Sequence, residues 1–214
     1  METQLFLIRH GHTLWNGVRR YQGHAPVPLS DRGKAQADCL ARAVAGSGTP
    51  DALISSDLLR CRQTVEPIGR ALGIDPIYDR RLREIDYGNW QGLTREEAEA
   101  WDAEAYAAYI ADPFTGTVPG GESQSALAAR VTAALDEALA SYAGGQIMLV
   151  THGGPVRAIL RRFDLWPGGL PVSNASVTEL VVEDTGRASL VRFSDVAHLP
   201  PDLRSEASGT AFVA

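Results

Sequence analysis

The chain has 214 residues, 44% hydrophobic and 21% charged, which is enough to build a substantial buried core. Its formal net charge of −6 argues against a general nucleic-acid binder, which would show a basic face. No apolar run nears the ~20 residues of a membrane span, and Met1-Glu2-Thr3-Gln4 lacks the basic start of a secretion signal.

Residues 3–9 form a first strand, in which the apolar run Leu5-Phe6-Leu7-Ile8 is closed by Arg9-His10-Gly11. The glycine marks where the strand stops and the backbone turns. Residues 16–29 carry neither a helical nor a strand period and read as a loop. Ser30 caps a helix through Ala35, Leu40, Ala41 and Val44, and Gly46-Ser47-Gly48 ends it. A strand at 51–56 is followed by a helix from about Asp57 to Leu72, which Gly73 stops and Pro67 is expected to bend or interrupt. Residues 75–78 make a short strand, and 80–92 a loop holding Glu84, Asp86, Tyr87 and Trp90. Thr94-Arg95-Glu96-Glu97 is a capping box that opens a helical stretch to about Ala111. Pro113, Gly116 and Pro119-Gly120-Gly121 break it, and Ser123 or Ser125 starts a helix to about Ala143. The run from Gln146 to Thr151 is a buried strand ended by His152-Gly153-Gly154, and Pro155 suits the first turn of a helix to about Phe163. Strands at 176–183 and 188–193 follow, and the tail from Asp195 is irregular.

Strands that alternate with helices predict an α/β fold: a three-layer sandwich with a mostly parallel central sheet and helices on both faces. No linker splits the chain, so 1–214 reads as one domain with a helical lid inserted at about 93–122.

Two of the predicted strands end alike, in Arg9-His10-Gly11 and Thr151-His152-Gly153. If they lie side by side, both imidazoles face one crevice at the carboxyl ends of the strands, where open α/β sheets place ligands. Arginine offers a charged fork matched to phosphate, and histidine a nitrogen that can serve as nucleophile or base near neutral pH.

Further segments fall in an order that goes with this pair. Arg9-His10-Gly11 with Thr13 and Asn16 comes first, then Tyr21-Gln22-Gly23 with Pro28-Leu29-Ser30, then Ser55-Ser56-Asp57-Leu58-Leu59-Arg60 with Gln63-Thr64. Leu82-Arg83-Glu84 through Gly88, Trp90 and Gly92 is next, followed by Pro119-Gly120-Gly121-Glu122-Ser123 and Thr151-His152-Gly153-Gly154. In these motifs the chain resembles the histidine phosphatase superfamily, the phosphoglycerate-mutase-like fold, from Leu5 to about Asn174.

The resemblance implies that His10 attacks phosphorus and becomes a phosphohistidine that water hydrolyses. It implies that Arg9, Arg60 and His152 meet the phosphoryl charge, and that Asn16, Gln22, Gly23 and Gly153 add hydrogen bonds to the same oxygens. Glu84 is the candidate general acid for the leaving alkoxide, and an arriving phosphate, a like charge, favours its keeping that proton. A nucleophilic imidazole must be neutral, and Arg9 and Arg60 nearby disfavour its protonation. His24 and Tyr87 are possible substrate contacts. No metal and no cofactor is required.

Other readings stand beside these. His10-Gly11-His12 with His24 or His152 has the form of a metal site, although no Asp or Cys at ligand spacing supports it. His12 otherwise reads as a loop residue, His198 as surface packing, and Arg19 and Arg20 as solvated charges. Trp90, Trp101, Tyr106, Tyr109 and Phe114 read as packing, and Asp86 is expected to face away from the pocket. Cys39 and Cys61 make no disulfide framework and no Cys-x5-Arg signature, which suits buried thiols in a reducing cytoplasm.

The same fold hosts mutases, which hold a doubly charged acid with extra basic residues. The segment from Glu96 to Ala129 contains no Lys or Arg but does contain seven acids, and an acidic lid repels such an intermediate. The expectation is a phosphatase acting on a small phosphorylated metabolite. It would resemble the compact α-ribazole, glucosyl-3-phosphoglycerate or broad-specificity phosphatases, with no nucleic-acid or membrane partner, as a monomer or homodimer. A phosphoglycerate mutase-type phosphotransferase and a non-catalytic phosphate-binding or regulatory module are the alternatives.

Overall fold

The computed structural model describes residues 1–46 and 48–204. Its strands are β1 (Glu2–Arg9), β2 (Ala52–Ser55), β3 (Ile77–Tyr78), β4 (Gln146–Thr151), β5 (Val177–Glu183) and β6 (Ala188–Asp195). They form one sheet in the order β3-β2-β4-β1-β5-β6. From β3 through β2 and β4 to β1 the pairing is parallel, and β5 and β6 add two antiparallel strands.

The helices are α1 (Leu14–Gly17), α2 (Asp31–Val44), α3 (Leu59–Leu72), α4 (Arg95–Trp101), α5 (Ala103–Ala111), α6 (Gln124–Ser141) and α7 (Gly153–Arg162). The apolar runs of β1 and β4 are explained by burial on both faces, since successive side chains point to opposite sides. Ile8, Leu53, Met148 and Val150 meet Leu40, Val44, Val65 and Ile68 of α2 and α3. On the other face Leu5, Leu7, Ile147 and Leu149 meet Leu127, Val131, Leu135, Val156 and Ile159 of α6 and α7. Each such side chain contributes roughly 1.5–3 kcal/mol when fully buried, so the two central strands are the part of the sheet most firmly fixed. They are also the strands that end in the two histidines.

Three local expectations change. Pro67 does not interrupt α3, which continues to Leu72: the missing N–H costs a backbone hydrogen bond, and Val65 and Ile68 anchor the helix on either side in the core. The helical stretch after Thr94 is two helices, because Asp102 leaves helical geometry, ends α4 and caps α5 by accepting from the Ala105 N–H at 2.9 Å. The loop expected at 16–29 is entered through the helical turn α1, which takes in Asn16 and Gly17 and is capped by Thr13 and Asn16 in reciprocal hydrogen bonds. Tyr106 and Tyr109 of α5 close on Trp90 with ring centroids 5.4 and 5.3 Å away. Among the described residues no helix is long and apolar enough to cross a membrane.

Candidate active site

β1 and β4 pair in register, Arg9 opposite Thr151, so His10 and His152 leave adjacent strands at one level. The His10 N–H donates to Thr151 O at 2.9 Å and extends the ladder by one step. The two rings lie with centroids 5.1 Å apart and planes tilted by 60°, and both are buried. Gly11 is needed here for space: a Cβ would come 2.6 Å from Gly33 O on α2.

His10 Nδ1 is 2.8 Å from Gly11 O. A carbonyl only accepts, so Nδ1 carries the proton and Nε2 keeps its lone pair. Burial first, then the charges of Arg60 and Arg9, hold the His10 imidazole well below its ordinary range. The ring is therefore neutral, with its free nitrogen fixed by the strand end.

Arg60 stands in the first turn of α3, almost fully buried, and spends its fork on three partners. Nε donates to His152 Nδ1 at 3.2 Å, one terminal nitrogen to Ala25 O at 3.2 Å and the other to Gly23 O at 2.8 Å. Gly23 has φ +49°, and a Cβ there would come 2.7 Å from Gln91 Oε1, so this tight loop requires glycine. Because guanidinium groups only donate, His152 Nδ1 holds its lone pair toward Arg60, and its Nε2–H faces Ser56 Oγ at 2.9 Å. Both nitrogens of His152 are thus engaged inside the protein, one by Arg60 and one by Ser56. Burial, then Arg60 and His10, keeps this ring neutral as well.

Arg9 donates to Val172 O, and its buried Nε has no partner among the described residues. Burial brings this guanidinium down to about 10. Asn16 Oδ1 accepts from Thr13 N at 3.0 Å and Asn174 Nδ2 at 3.3 Å, which turns its amide nitrogen outward. Gln22 is buried beside Gly23, its Oε1 unpartnered among the described residues. A Cβ on Gly153 would lie 3.8 Å from Arg9 Nε and 3.9 Å from Glu84 Oε2, which puts that glycine between the cationic cradle and the acid.

Glu84 is held at the amino end of α7. Its Oε1 accepts from Gly154 N at 3.1 Å and Ile85 N at 3.0 Å, and a Cβ on Gly154 would overlap that oxygen. The backbone behind it is fastened by Arg130 of α6, which donates to Arg81 O at 2.8 Å, Arg83 O at 2.6 Å and Glu84 O at 2.8 Å while paired with Glu122. Sequence reasoning missed Arg130. The available signal was an arginine two helical turns after the Glu122 of the Pro-Gly-Gly-Glu-Ser motif. His24 is near the site but turned onto the main chain: its Nε2 donates to Glu84 O at 2.9 Å, and its Nδ1 faces Asp86 Oδ2 at 3.5 Å. Tyr87 is buried and stacks on Tyr21 with ring centroids 4.6 Å apart.

His12 Nδ1 is 2.8 Å from Ser30 Oγ, so the His12 and His24 rings point to Ser30 and to Glu84 O rather than toward one another. Among the described residues no three His, Cys, Asp or Glu side chains are grouped to hold a metal ion. Arg20, expected to be a solvated charge, instead pairs with Glu97 and donates to Gly92 O at 2.5 Å, tying α4 to the loop. Cys61 touches the His152 ring at 3.4 Å, and burial pushes its thiol up to about 12, so it stays protonated.

Residues 5–196 match the family model described as histidine phosphatase superfamily (branch 1). Phosphoglycerate mutase-like protein 4 of Arabidopsis thaliana is 34% identical over 201 residues, covering 92% of this chain and 86% of its own length. A probable phosphoglycerate mutase of Salmonella paratyphi C is 39% identical over 155 residues, 70% of this chain and 69% of that one. The native structure of a mycobacterial glucosyl-3-phosphoglycerate phosphatase superposes with a TM-score of 0.80 at 31% identity, over 91% of this chain and 99% of the other.

Proposed function

The chain belongs to the histidine phosphatase superfamily (branch 1), and from that premise we propose that it is a metal-independent phosphomonoesterase working through a phosphohistidine on His10. The observation that carries this reading is the His10 ring: neutral, buried, and fixed by Gly11 O so that Nε2 is the free nitrogen. In the first step Nε2 attacks phosphorus, the bond from phosphorus to the alkoxy oxygen breaks, and Glu84 gives the leaving oxygen its proton. In the second, water attacks phosphorus, Glu84 takes a proton from it, and the N–P electron pair returns to Nε2.

Arg9 and Arg60 supply the positive charge that meets the equatorial oxygens, assisted by Asn16, Gln22 and the backbone at Gly23 and Gly153. His152 keeps Arg60 aimed. Arg130 and His24 hold the backbone that presents Glu84. The work a metal ion would do on the phosphoryl charge falls to two guanidinium groups. A small phosphorylated metabolite is the substrate, and the cytoplasm the expected setting.

The test is turnover of p-nitrophenyl phosphate with and without EDTA, beside a mutase assay on 3-phosphoglycerate. Chelator-insensitive hydrolysis that His10→Ala abolishes supports the proposal. An active His10→Ala enzyme, chelator-sensitive turnover, or mutase activity exceeding hydrolysis would each overturn it.

A further inference from the structure

α7 does more than cap Glu84. Gly154, Arg157, Ala158 and Arg161 recur at the three- and four-residue spacing that puts them on one face of the helix. That face lines a cavity of about 220 Å³, bordered also by Ile85, Tyr87, Leu127, Gln124 and Thr132, with Arg162 at its edge. Gly154, whose N–H holds the Glu84 carboxylate, also lines the cavity, which makes the cavity a neighbour of the candidate proton donor. At about 220 Å³ the cavity is smaller than the roughly 300–1,000 Å³ of sites for drug-sized ligands, which suits a compact leaving group.

The charge on this wall is the second observation. Arg157 lies inward, 3.5 Å from where a Gly153 Cβ would stand, and Arg161 one turn farther out. Arg161 donates to the neutral amide of Gln124 at 3.4 Å and has no ion pair among the described residues, whereas neighbouring Arg162 pairs with Asp136. Burial and the like charge of Arg157 both work against the charged form of Arg161. In a chain of net charge −6, two adjacent guanidinium groups at the rim of a cavity are a local positive charge of the kind that attracts an anion.

Resting on the phosphomonoesterase reading, we propose that this cavity receives the alcohol half of the substrate, and that Arg157 and Arg161 bind a second anionic group on it, a carboxylate or a further phosphate. The basic residues absent from the acidic segment after Glu96 are thus supplied from the opposite wall.

The test is kcat/KM for three matched esters: n-propyl phosphate, the same ester ending in a carboxylate, and the same ester ending in a second phosphate. At least one anionic ester should be favoured tenfold or more over the neutral one, and the better of the two identifies the group bound. Arg161→Gln and Arg157→Gln should each cut that preference at least fivefold, and Arg161→Lys should keep most of it. Equal kcat/KM across the series, from an enzyme that turns over p-nitrophenyl phosphate, would overturn the subsite and leave the phosphatase reading intact. If neither the esters nor p-nitrophenyl phosphate is hydrolysed, the phosphatase reading fails first, and calorimetric Kd values for the same three esters decide the subsite. Tighter binding of an anionic ester, weakened by Arg161→Gln, would sustain it, and equal affinities would overturn it.

Discussion

The Nε of Arg60 donates to Nδ1 of His152 across 3.2 Å, so the second histidine of the site points its lone pair at a guanidinium group. With Nε2 on Ser56, the ring cannot turn without breaking two hydrogen bonds. His152 therefore fixes the plane of the Arg60 fork, and the fork fixes the loop at Gly23 and Ala25.

That arrangement separates the charge of Arg60 from its shape. A lysine keeps the charge but cannot meet three acceptors in one plane. Arg60→Lys should lower kcat/KM for p-nitrophenyl phosphate at least 100-fold, about 2.7 kcal/mol of transition-state stabilisation. Activity within threefold of wild type would mean that charge alone matters at this position.

The two neutral imidazoles have a pH signature. Burial first, then Arg60, depresses both below the ordinary value of about 6.5. Below about pH 6.5 the unfolded chain binds protons that the folded chain refuses, so ΔG of unfolding is full above that pH and falls as the solution is acidified. Each imidazole contributes a slope of up to about 1.4 kcal/mol per pH unit in that window. Urea unfolding between pH 7.5 and 5 should show this loss, and His10→Gln should flatten it. The acid limb of kcat/KM should likewise lie well below 6.5, and a limb at 6.5 would mean that His10 titrates like a solvated histidine.

Gly154→Ala should divide stability from catalysis. The added Cβ overlaps the tip of the Glu84 side chain, which can swing away, and alanine is the better helix former by up to about 1 kcal/mol. The unfolding free energy should shift by less than about 1 kcal/mol, while kcat on an alkyl phosphate falls at least tenfold. Retained kcat would show that the position of Glu84 against α7 is immaterial.

Glu84→Gln should depend on the leaving group. Phenyl and alkyl phosphates need a proton on departure, and p-nitrophenolate hardly does, so the loss should be at least tenfold greater for an alkyl phosphate. Equal losses on both substrates would count against proton donation by Glu84.

Much of this site could be read in the sequence because its parts lie where periodicity stops. The apolar runs of β1 and β4 each end in His-Gly, and the expectation that they run side by side is met in register, Arg9 opposite Thr151. The sheet, its closing strands and the helices on both faces follow from the same alternation. Arg130 and Arg157 were not legible, because on a helix an arginine beside apolar neighbours has the pattern of a solvated face. What sets them apart is partners 46–49 residues away for Arg130, and for Arg157 a place on the cavity wall. The hydrogen bond between Arg60 and His152 was hidden for a related reason: it depends on which way one ring nitrogen faces. Pro67 misled because its local penalty is offset by the burial of Val65 and Ile68.

The covalent step on His10 can be trapped. Protein mixed with substrate for milliseconds, quenched in alkali where phosphohistidine survives, and digested for mass spectrometry should carry one phosphoryl group on His10 and none in the His10→Ala protein. Rapid turnover with no phosphoryl group on His10 at any time point, or with that group on another residue, would rule out His10 as the nucleophile.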